Sequence, residues 1–403
     1  MQAVRDFQAV AAVLTTQCNL RCAYCYQSSK DNRRMDWKTL RACIDAALTC
    51  ALPEVKFLFF GGEPLMEMPM IRRAVADAES RRPADLGVRF GLSTNGTLLD
   101  EANIAFLVEN GFEVQLSFDG VPGAQDLRGR GTFKALDGTL GHVSRRHPAF
   151  FTADLSIALT LSLGTLPHLA DSVEYFLAKD VRELVLSPDI TLGWGWNEEQ
   201  TQELDVQFER IYEASLNHLE AKGRIPLPLF RGTGNGSERP ADGDLVCSAA
   251  RGTNLIVDVD GRVHTCSLLV PSYQALTSEL LLKQTRSMEL GSLLAHDFWR
   301  GYSRFREKRL DAEMFTFRNK RRSASYGRCG ECQYLPDCTV CPVSIGHLPD
   351  NDDPYLVPDF VCAFNRVSIE HARRFTAAVV RREGDEALGR MEAVLARRAA
   401  GRG

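Results

Sequence analysis

Three cysteines close to the amino terminus are the residues of this sequence whose types and spacing best suit chemistry. They stand in the run Cys18-Asn-Leu-Arg-Cys22-Ala-Tyr-Cys25, directly after an apolar segment that predicts a β-strand. Three thiolates on one short loop can hold three corners of an iron–sulfur cubane and leave the fourth iron open. Thiolates bind zinc as well, so these cysteines alone leave a zinc site as the alternative.

Seven more cysteines form a second group: Cys247, Cys266, Cys329, Cys332, Cys338, Cys341 and Cys362. The segment 255–264 predicts a β-hairpin turning at Asp260-Gly261, which would bring the first two of these cysteines together at its base. Residues 329–341 alone could form a zinc ribbon, but a ribbon leaves the other three cysteines unexplained. The remaining pair, Cys43 and Cys50, lies on one predicted helix and is expected to serve packing.

Polar motifs follow the next three predicted strands, at the point where each strand ends. They are Gly61-Gly62-Glu63-Pro64, Ser93-Thr94-Asn95-Gly96-Thr97 and Ser117-Phe118-Asp119-Gly120. In a barrel of parallel strands, the carboxyl ends of the strands share one rim. We therefore expect the cysteine loop and all three motifs to lie on the same rim.

The elements that must position these residues alternate between strands and helices. Strands are predicted at Val10–Leu14, Val55–Phe60, Val88–Leu92, Phe112–Phe118, Leu155–Leu161 and Glu183–Leu186. Helices are predicted at Trp37–Ala51, Met70–Arg81, Asp100–Glu109, Pro167–Lys179 and Glu198–Ala221, and a basic helix is predicted from Val367. This alternation predicts an α/β fold, a partial (β/α)6 barrel with a parallel sheet inside and helices outside.

The Cys-x3-Cys-x2-Cys run, with Tyr24 before its last cysteine, resembles the signature of the radical S-adenosylmethionine (SAM) superfamily. The resemblance implies a [4Fe–4S] cluster on Cys18, Cys22 and Cys25 whose open iron binds the amino and carboxylate groups of SAM. Reduction would then cleave SAM and release a 5′-deoxyadenosyl radical that abstracts hydrogen.

The resemblance also implies which residues contact SAM. The Gly-Gly-Glu stretch would contact the amino group of SAM. The motif after the third strand would contact the ribose hydroxyls, and the motif after the fourth strand would contact the ribose or the carboxylate. Residues 125–133 are similar to a family stretch whose arginine contacts the carboxylate, so Arg128 is the matching residue and Arg130 the alternative. The implied contacts are Tyr24, Gly61, Gly62, Glu63, Pro64, Ser93, Asn95, Ser117 and Arg128.

Residues 247–365 resemble the seven-cysteine SPASM extension of radical SAM enzymes, which carries two auxiliary [4Fe–4S] clusters. Carried over by position, Cys329, Cys332, Cys338 and Cys362 would hold the outer cluster. Cys247, Cys266 and Cys341 would hold the inner one, completed by an open iron, another ligand or a substrate atom. Two residues precede Cys341 where the family usually has three, which leaves open how Cys338 and Cys341 divide between the clusters.

The chain is accordingly expected to divide into four parts. These are a radical SAM partial barrel (1–229), a linker rich in Gly, Ser and charge (230–246), a SPASM domain (247–365) and a C-terminal helical segment (366–403). After the sixth strand, Asp189, Trp194 and Trp196 could face a substrate, and an ordinary aromatic packing loop is an equal alternative. The sequence does not identify a general base.

SPASM enzymes mostly modify peptides, so the leading hypothesis is a maturase of a ribosomally made peptide that installs a C–C (cyclophane) or thioether cross-link. The second is an anaerobic sulfatase maturase that forms formylglycine. Those enzymes typically have an eighth cluster cysteine and an aspartate at the position of Ser267. A non-peptide oxidase ranks third, and a zinc-stabilised binding protein without catalysis is the alternative of another class.

The remaining expectations concern partners and location. Because the first strand begins at about residue 10, we expect a separate leader-binding protein or direct recognition by the barrel, and a reductant such as flavodoxin or ferredoxin. A formal net charge of −4 gives no pull toward nucleic acid or anionic membranes. The sequence has no apolar run that could span a bilayer and no signal peptide, which predicts a cytoplasmic protein.

Overall fold

A computed structural model describes residues 5–27, 30–191, 196–231, 248–272, 286–307, 327–338, 340–345 and 357–383 of the chain. Its strands are β1 (Ala9–Val13), β2 (Glu54–Phe60), β3 (Gly87–Thr94), β4 (Glu113–Ser117), β5 (Leu155–Leu161), β6 (Leu184–Pro188), β7 (Asn254–Val257), β8 (Arg262–His264) and β9 (Glu289–Ser292). Its α-helices are α1 (Trp37–Leu48), α2 (Met68–Arg81), α3 (Glu101–Glu109), α4 (Pro122–Gly129), α5 (Phe133–Arg146), α6 (Pro148–Ala153), α7 (Leu169–Ala178), α8 (Glu198–Lys222), α9 (Ser248–Arg251), α10 (Phe298–Glu307), α11 (Pro342–Ile345) and α12 (Asp359–Glu383).

The strands form one sheet in the order β6-β5-β4-β3-β2-β1-β7-β8-β9. Strands β1 to β6 are all parallel, and β7 pairs parallel with the free edge of β1. The expected hairpin is β7–β8, and it turns at Gly261, whose φ is +84°. The α/β class and the six barrel strands are thus confirmed, and the hairpin extends the same sheet.

The two faces of the sheet bury different side chains, as the alternation of a strand requires. Val10 and Ala12 of β1 belong to the large core between the sheet and the outer helices. Ala11 and Val13 point the other way, into a smaller apolar cluster on the inner face that also contains Ile256 of β7. The parallel register places Ala11 opposite Ile256, so the hairpin completes the inner wall beside β1.

Local signals position several helices, and tertiary packing supplies others. The Asp100 carboxylate accepts from the Asn103 N–H and caps α3, which ends at Glu109 as expected. Helices α4, α5 and α6, between β4 and β5, have no counterpart in the sequence-based prediction. The glycines of α4 and α5 lower helix propensity, but α5 buries one apolar face against the sheet: Leu136, Leu140 and Val143.

The C-terminal helix begins at Asp359, eight residues before the predicted start at Val367. Pro358 can precede a helix without losing a hydrogen bond, and Phe360 and Ala363 continue the buried face. This helix packs along α8, with Phe364 against Phe208 at 6.2 Å between ring centroids. Within the described ranges, no helix combines the length and the apolarity that a membrane crossing requires.

Gly120, which follows β4, offers a test of this packing. A Cβ there would lie 2.3 Å from the Ser172 Cβ, and its φ of +96° is strained for other residues. Gly120→Ala should lower the free energy of unfolding by at least about 2 kcal/mol. The matched control is Gly138→Ala on the exposed face of α5, which meets nothing within 4 Å and should raise stability by about 0.5–1 kcal/mol. Thermal unfolding of the cluster-loaded proteins measures both, and equal effects would contradict the packing.

Candidate active site and metal centres

The loops that follow the first strands meet at one rim, as the sequence predicts. The side-chain amide of Asn95, after β3, lies 3.8 Å from the Cys18 sulfur, after β1. The Ala23 N–H donates to the Leu127 carbonyl of α4 at 2.8 Å, so the cysteine loop is also joined to the segment after β4. The motif after β3 and the helix after β4 therefore both contact the cysteine loop.

The cysteine loop itself holds three half-buried free thiols, on Cys18, Cys22 and Cys25. Burial raises the pKa of Cys22, the charges of Cys25 and Cys18 raise it further, and Arg128 opposes them. Thiols close enough to influence each other in this way are the arrangement that a cationic metal centre neutralises. Since the Leu20 N–H also donates to the Cys18 sulfur at 3.4 Å, the donor set fits an iron–sulfur cluster.

Gly61 and Gly62 let the end of β2 lie directly against the chain entering this loop. The Gly62 N–H donates to the Thr15 carbonyl at 2.8 Å. A Cβ on Gly62 would lie 2.3 Å from the Gln17 carbonyl oxygen, and one on Gly61 would lie 2.8 Å from that of Thr15. Any larger residue would push the cysteine loop away from the rim.

Glu63 is completely buried, and its carboxylate ties the end of β2 to the end of β3. It accepts hydrogen bonds from the Thr94 hydroxyl at 2.7 Å, from the Asn95 N–H at 2.8 Å and from the Leu65 N–H at 3.1 Å. Burial raises the pKa of Glu63, although these hydrogen bonds act in the opposite direction. Pro64 opens the 3-10 helix that follows. Sequence reasoning did not foresee this architectural role.

Asn95, Ser93 and Ser117 occupy the ends of β3 and β4. The Asn95 side-chain amide donates to Asn19 at 2.8 Å, and its oxygen accepts from the Thr97 N–H at 3.0 Å. Asn95 therefore orients the cysteine loop as well as facing it. Ser93 and Ser117 are half-buried on the inner face of the sheet, where Ser93 lies 3.5 Å from Gln115.

Asp119 is the residue of the rim that sequence reasoning missed as a site residue. Its fully buried carboxylate accepts from Arg128 Nε at 3.1 Å, from Arg128 Nη2 at 2.8 Å and from the Thr160 N–H at 2.9 Å. The Tyr24 hydroxyl donates to it through a short hydrogen bond. The available signal was a carboxylate directly after a parallel strand, in a motif singled out for its serine.

This network decides which arginine faces the site. Burial alone would lower the pKa of Arg128, but the charge of Asp119 raises it, so the guanidinium is held as a cation. Its Nη1 has no hydrogen-bond partner among the described residues, whereas Nε and Nη2 are engaged. The guanidinium also lies 5.4 Å from the centre of the Tyr24 ring. Arg130, the alternative, is exposed beyond the end of α4.

In the second cysteine group, the contacts divide the described cysteines into two sets. Val357 packs against Cys329 and Cys362, and the Asn365 amide donates to the Cys338 sulfur at 3.3 Å. These three cysteines converge at the start of α12.

The second set lies nearer the rim. Cys341 directly precedes α11, which lies against the 3-10 helix Ser267–Leu269 that follows Cys266. Burial raises the pKa of Tyr26 to about 12, with contributions from the charges of Cys25 and Cys266, so Cys266 neighbours the first cysteine loop. Cys247 lies outside the described residues.

Unpartnered polar atoms accumulate around Cys266. Asp258 Oδ2, His264 Nε2, Thr265 Oγ1 and Ser272 Oγ are buried without a hydrogen-bond partner in the described part of the chain. Buried polar atoms are nearly always paired in folded proteins. The Thr265 hydroxyl, next to Cys266 in the chain, could donate to a sulfur of a cluster on Cys266, so this hydroxyl fits a second metal centre there.

The other candidate residues have structural roles where they are described. Trp196 is buried, donates to Thr201 at 2.8 Å and packs on Phe360 at 4.8 Å between ring centroids. Asp189 is buried and accepts two hydrogen bonds of 2.7 Å from Thr191. Trp194 lies outside the described residues. Cys43 is fully buried in the core, and the Cys50 thiol donates to a backbone carbonyl, as expected for packing residues.

Known proteins with similar sequences include anaerobic sulfatase-maturating enzymes. The cysteine-type anaerobic sulfatase-maturating enzyme of Clostridium perfringens (strain 13 / Type A) is 29% identical over 278 residues, 63% of this chain and 72% of that protein. The serine-type enzyme of Klebsiella aerogenes is 26% identical over 270 residues, 63% of this chain and 64% of that protein. An uncharacterized protein of Methanocaldococcus jannaschii is 28% identical over 261 residues, 64% of this chain and 83% of that protein.

Solved structures share the fold. Native anSMEcpe with bound AdoMet and Kp18Cys peptide superposes with a TM-score of 0.68 at 18% identity, over 92% of this chain and 99% of that one. Streptococcus suis SuiB bound to precursor peptide SuiA superposes with a TM-score of 0.55 at 13% identity, over 89% of this chain and 76% of that one. Residues 12–147, which carry the cysteine loop and the strand-end motifs, match the family model of the Radical SAM superfamily. The chain therefore contains a radical SAM domain over residues 12–147.

Proposed function

We propose that this enzyme is a maturase that abstracts hydrogen from a ribosomally made peptide and installs an oxidative cross-link, a C–C cyclophane or a thioether. The observation that carries the proposal is the convergence of the Cys18–Cys25 loop with Asn95 and Arg128 on one rim. Support for a peptide substrate comes from the relatives, since the structures of anSMEcpe and SuiB contain bound peptides. A separate leader-binding protein and a flavodoxin or ferredoxin as reductant are part of the proposal.

In this proposal, Cys18, Cys22 and Cys25 hold the [4Fe–4S] cluster. When bound together, the reduced cluster and SAM would supply a 5′-deoxyadenosyl radical that takes one hydrogen atom from the peptide. The second hydrogen lost on cross-linking would leave as a proton, and its electron would pass to an auxiliary cluster. The residues around the loop bind and orient SAM beside it. Arg128 Nη1 faces the carboxylate of SAM while Asp119 holds the other two guanidinium nitrogens. Tyr24, the Gly61–Pro64 stretch, Ser93, Asn95 and Ser117 complete the contacts.

Replacing Arg128 by lysine tests the orientation of SAM. A lysine keeps the charge but cannot hold Asp119 with two nitrogens and reach SAM with a third. Since a charge-assisted hydrogen bond contributes about 1.5–3 kcal/mol, Arg128→Lys should weaken SAM binding at least about tenfold. Equilibrium dialysis of cluster-loaded enzyme against labelled SAM measures this. The matched control, Arg130→Lys, should bind like the parent enzyme, and the reverse result would assign the carboxylate contact to Arg130.

We further propose two auxiliary [4Fe–4S] clusters. The contacts around Val357 and Asn365 support an outer cluster on Cys329, Cys332, Cys338 and Cys362. The position of α11 supports an inner cluster on Cys247, Cys266 and Cys341. The inner cluster then has an open iron, another ligand or a substrate atom in the fourth position.

Iron counting tests this division. The anaerobically reconstituted enzyme should hold about twelve irons, as three four-iron clusters require. Cys338→Ala combined with Cys362→Ala should cost no more iron than either change alone, because both remove the outer cluster. Cys338→Ala combined with Cys341→Ala should cost twice as much, because both clusters are lost. Cys50→Ala, a packing residue, is the control and should lose none. Zinc without sulfide in the parent protein would contradict all three clusters.

Formylglycine formation is the second candidate, favoured by the similarity to the sulfatase-maturating enzymes of Clostridium and Klebsiella. Ser267 follows Cys266 in this chain, and its hydroxyl cannot act as the carboxylate that typically stands there in those enzymes. This difference favours the cross-link.

Mass analysis distinguishes the two products. The enzyme is co-expressed with the short peptides encoded beside its gene, and separately incubated with SAM, reductant and the Kp18Cys peptide. A peptide lighter by two hydrogens that does not react with a hydrazide probe is the cross-linked product that we expect. A hydrazide-reactive product from either peptide establishes formylglycine formation instead. Unchanged masses in both reactions would contradict the proposed function.

A further inference from the structure

A second group of potential metal ligands lies on the outer helices, on residues that none of the cysteine sites uses. Glu101 is the first residue of α3, His142 lies in the third turn of α5, and His147 directly follows α5. One ligand atom from each residue can be chosen so that all three lie within 4.8 Å of one another. The sequence gives no hint of this group, because Glu101 is separated from the histidines by more than a helix and a strand.

The histidines in this group have unsatisfied nitrogens. Nε2 of His142 and Nε2 of His147 are both buried and have no hydrogen-bond partner in the described ranges. Glu101 Oε2 lies 2.6 Å from His142 Nε2, but the two atoms are not aligned as a hydrogen bond. His147 Nε2 thus has no partner in the described ranges, and His142 Nε2 has only the poorly aligned Glu101 carboxylate beside it, so a cation between the three residues would satisfy both nitrogens.

The chemistry of the ligands favours zinc. Two neutral imidazoles and one carboxylate form a ligand set that proteins use for Zn²⁺, with a water in the fourth position. Zinc–ligand distances of about 2.0–2.1 Å place tetrahedral ligand atoms roughly 3.3 Å apart. The group needs only small movements to reach this spacing, because the Glu101 side chain is 63% exposed and can rotate.

Both positive and negative charges lie around these three residues. Arg145 and Arg146 lie in the last turn of α5 and oppose a cation, but both are exposed to solvent, which screens them. The free carbonyls at the end of the same helix carry partial negative charge, which favours a cation beside His147. The carboxylate of Glu101 adds a full negative charge.

We propose that Glu101, His142 and His147 form a zinc site, distinct from the iron–sulfur centres, that fastens the start of α3 to the junction of α5 and α6. Since both helices pack outside β3 to β5, the bound ion stabilises the outer wall of the barrel. It takes no part in the radical chemistry.

The test uses the cluster-loaded enzyme, in which iron already occupies the cysteines. Zinc chloride is titrated anaerobically in competition with a chromophoric chelator, and one zinc ion per chain should bind. His142→Ala and His147→Ala should each weaken binding about 100-fold or more, since even indirect partners of a metal site change affinity 10–100-fold. The matched control is His296→Ala, an exposed histidine near α10, which should leave the affinity unchanged.

Two further readouts separate this site from zinc bound elsewhere. X-ray absorption at the zinc edge should show only nitrogen and oxygen ligands at about 2.0 Å, whereas sulfur at about 2.3 Å would place the ion on cysteines. Zinc should raise the unfolding temperature of the parent enzyme but not of the His142→Ala/His147→Ala double variant. Sulfur ligation, or equal zinc affinity in the double variant, would overturn the proposal. Neither result would affect the proposed radical chemistry, which the iron counts and the mass analysis test independently.

Discussion

The rest of the rim depends on the hydrogen bonds of the Asp119 carboxylate, because four segments of the chain meet at its two oxygens. Tyr24 reaches it from the cysteine loop, Arg128 from α4 and the Thr160 N–H from β5, while Asp119 itself follows β4. A buried carboxylate that loses its partner costs several kcal/mol, so the three contacts form together or not at all. The position of the cysteine loop over the sheet is thereby coupled to one buried ion pair.

Glu63 performs the same task at the neighbouring strand ends with different chemistry. Its partners are neutral donors from Thr94, Asn95 and Leu65, so no cation among the described residues offsets the cost of burying its charge. Burial accordingly raises the pKa of Glu63. The two carboxylates together lock β2 to β3 and β4 to β5, which leaves the cysteine loop supported from both sides.

The second cysteine region depends on the edge of β1. Strand β1 is buried along its whole length, and an open edge there would leave backbone groups unpaired. β7 satisfies that edge and brings Cys266 close to Tyr26 and Cys25. At the far end, α12 lies on α8, with the buried His371 side chain 2.9 Å from Asp205, and carries Cys362 in its first turn. Cys266 and Cys362 are thus both carried by elements that pack on the barrel.

The sequence by itself determined the alternating strands, the order of the strand-end motifs and the cysteine spacing, because these follow from short-range periodicity and from residues close together in the chain. It placed six strands within a few residues and identified the capped start of α3 at Asp100. It did not predict α4 to α6, because the glycines of α4 and α5 lower helix propensity and the buried apolar face of α5 stabilises a helix only once the tertiary structure has formed. Only the tertiary structure decided that Asp119 holds Arg128, and that Glu101 lies beside His142. Such pairings join residues on different elements, and nothing in the local sequence encodes which carboxylate a folded chain brings to which cation or imidazole.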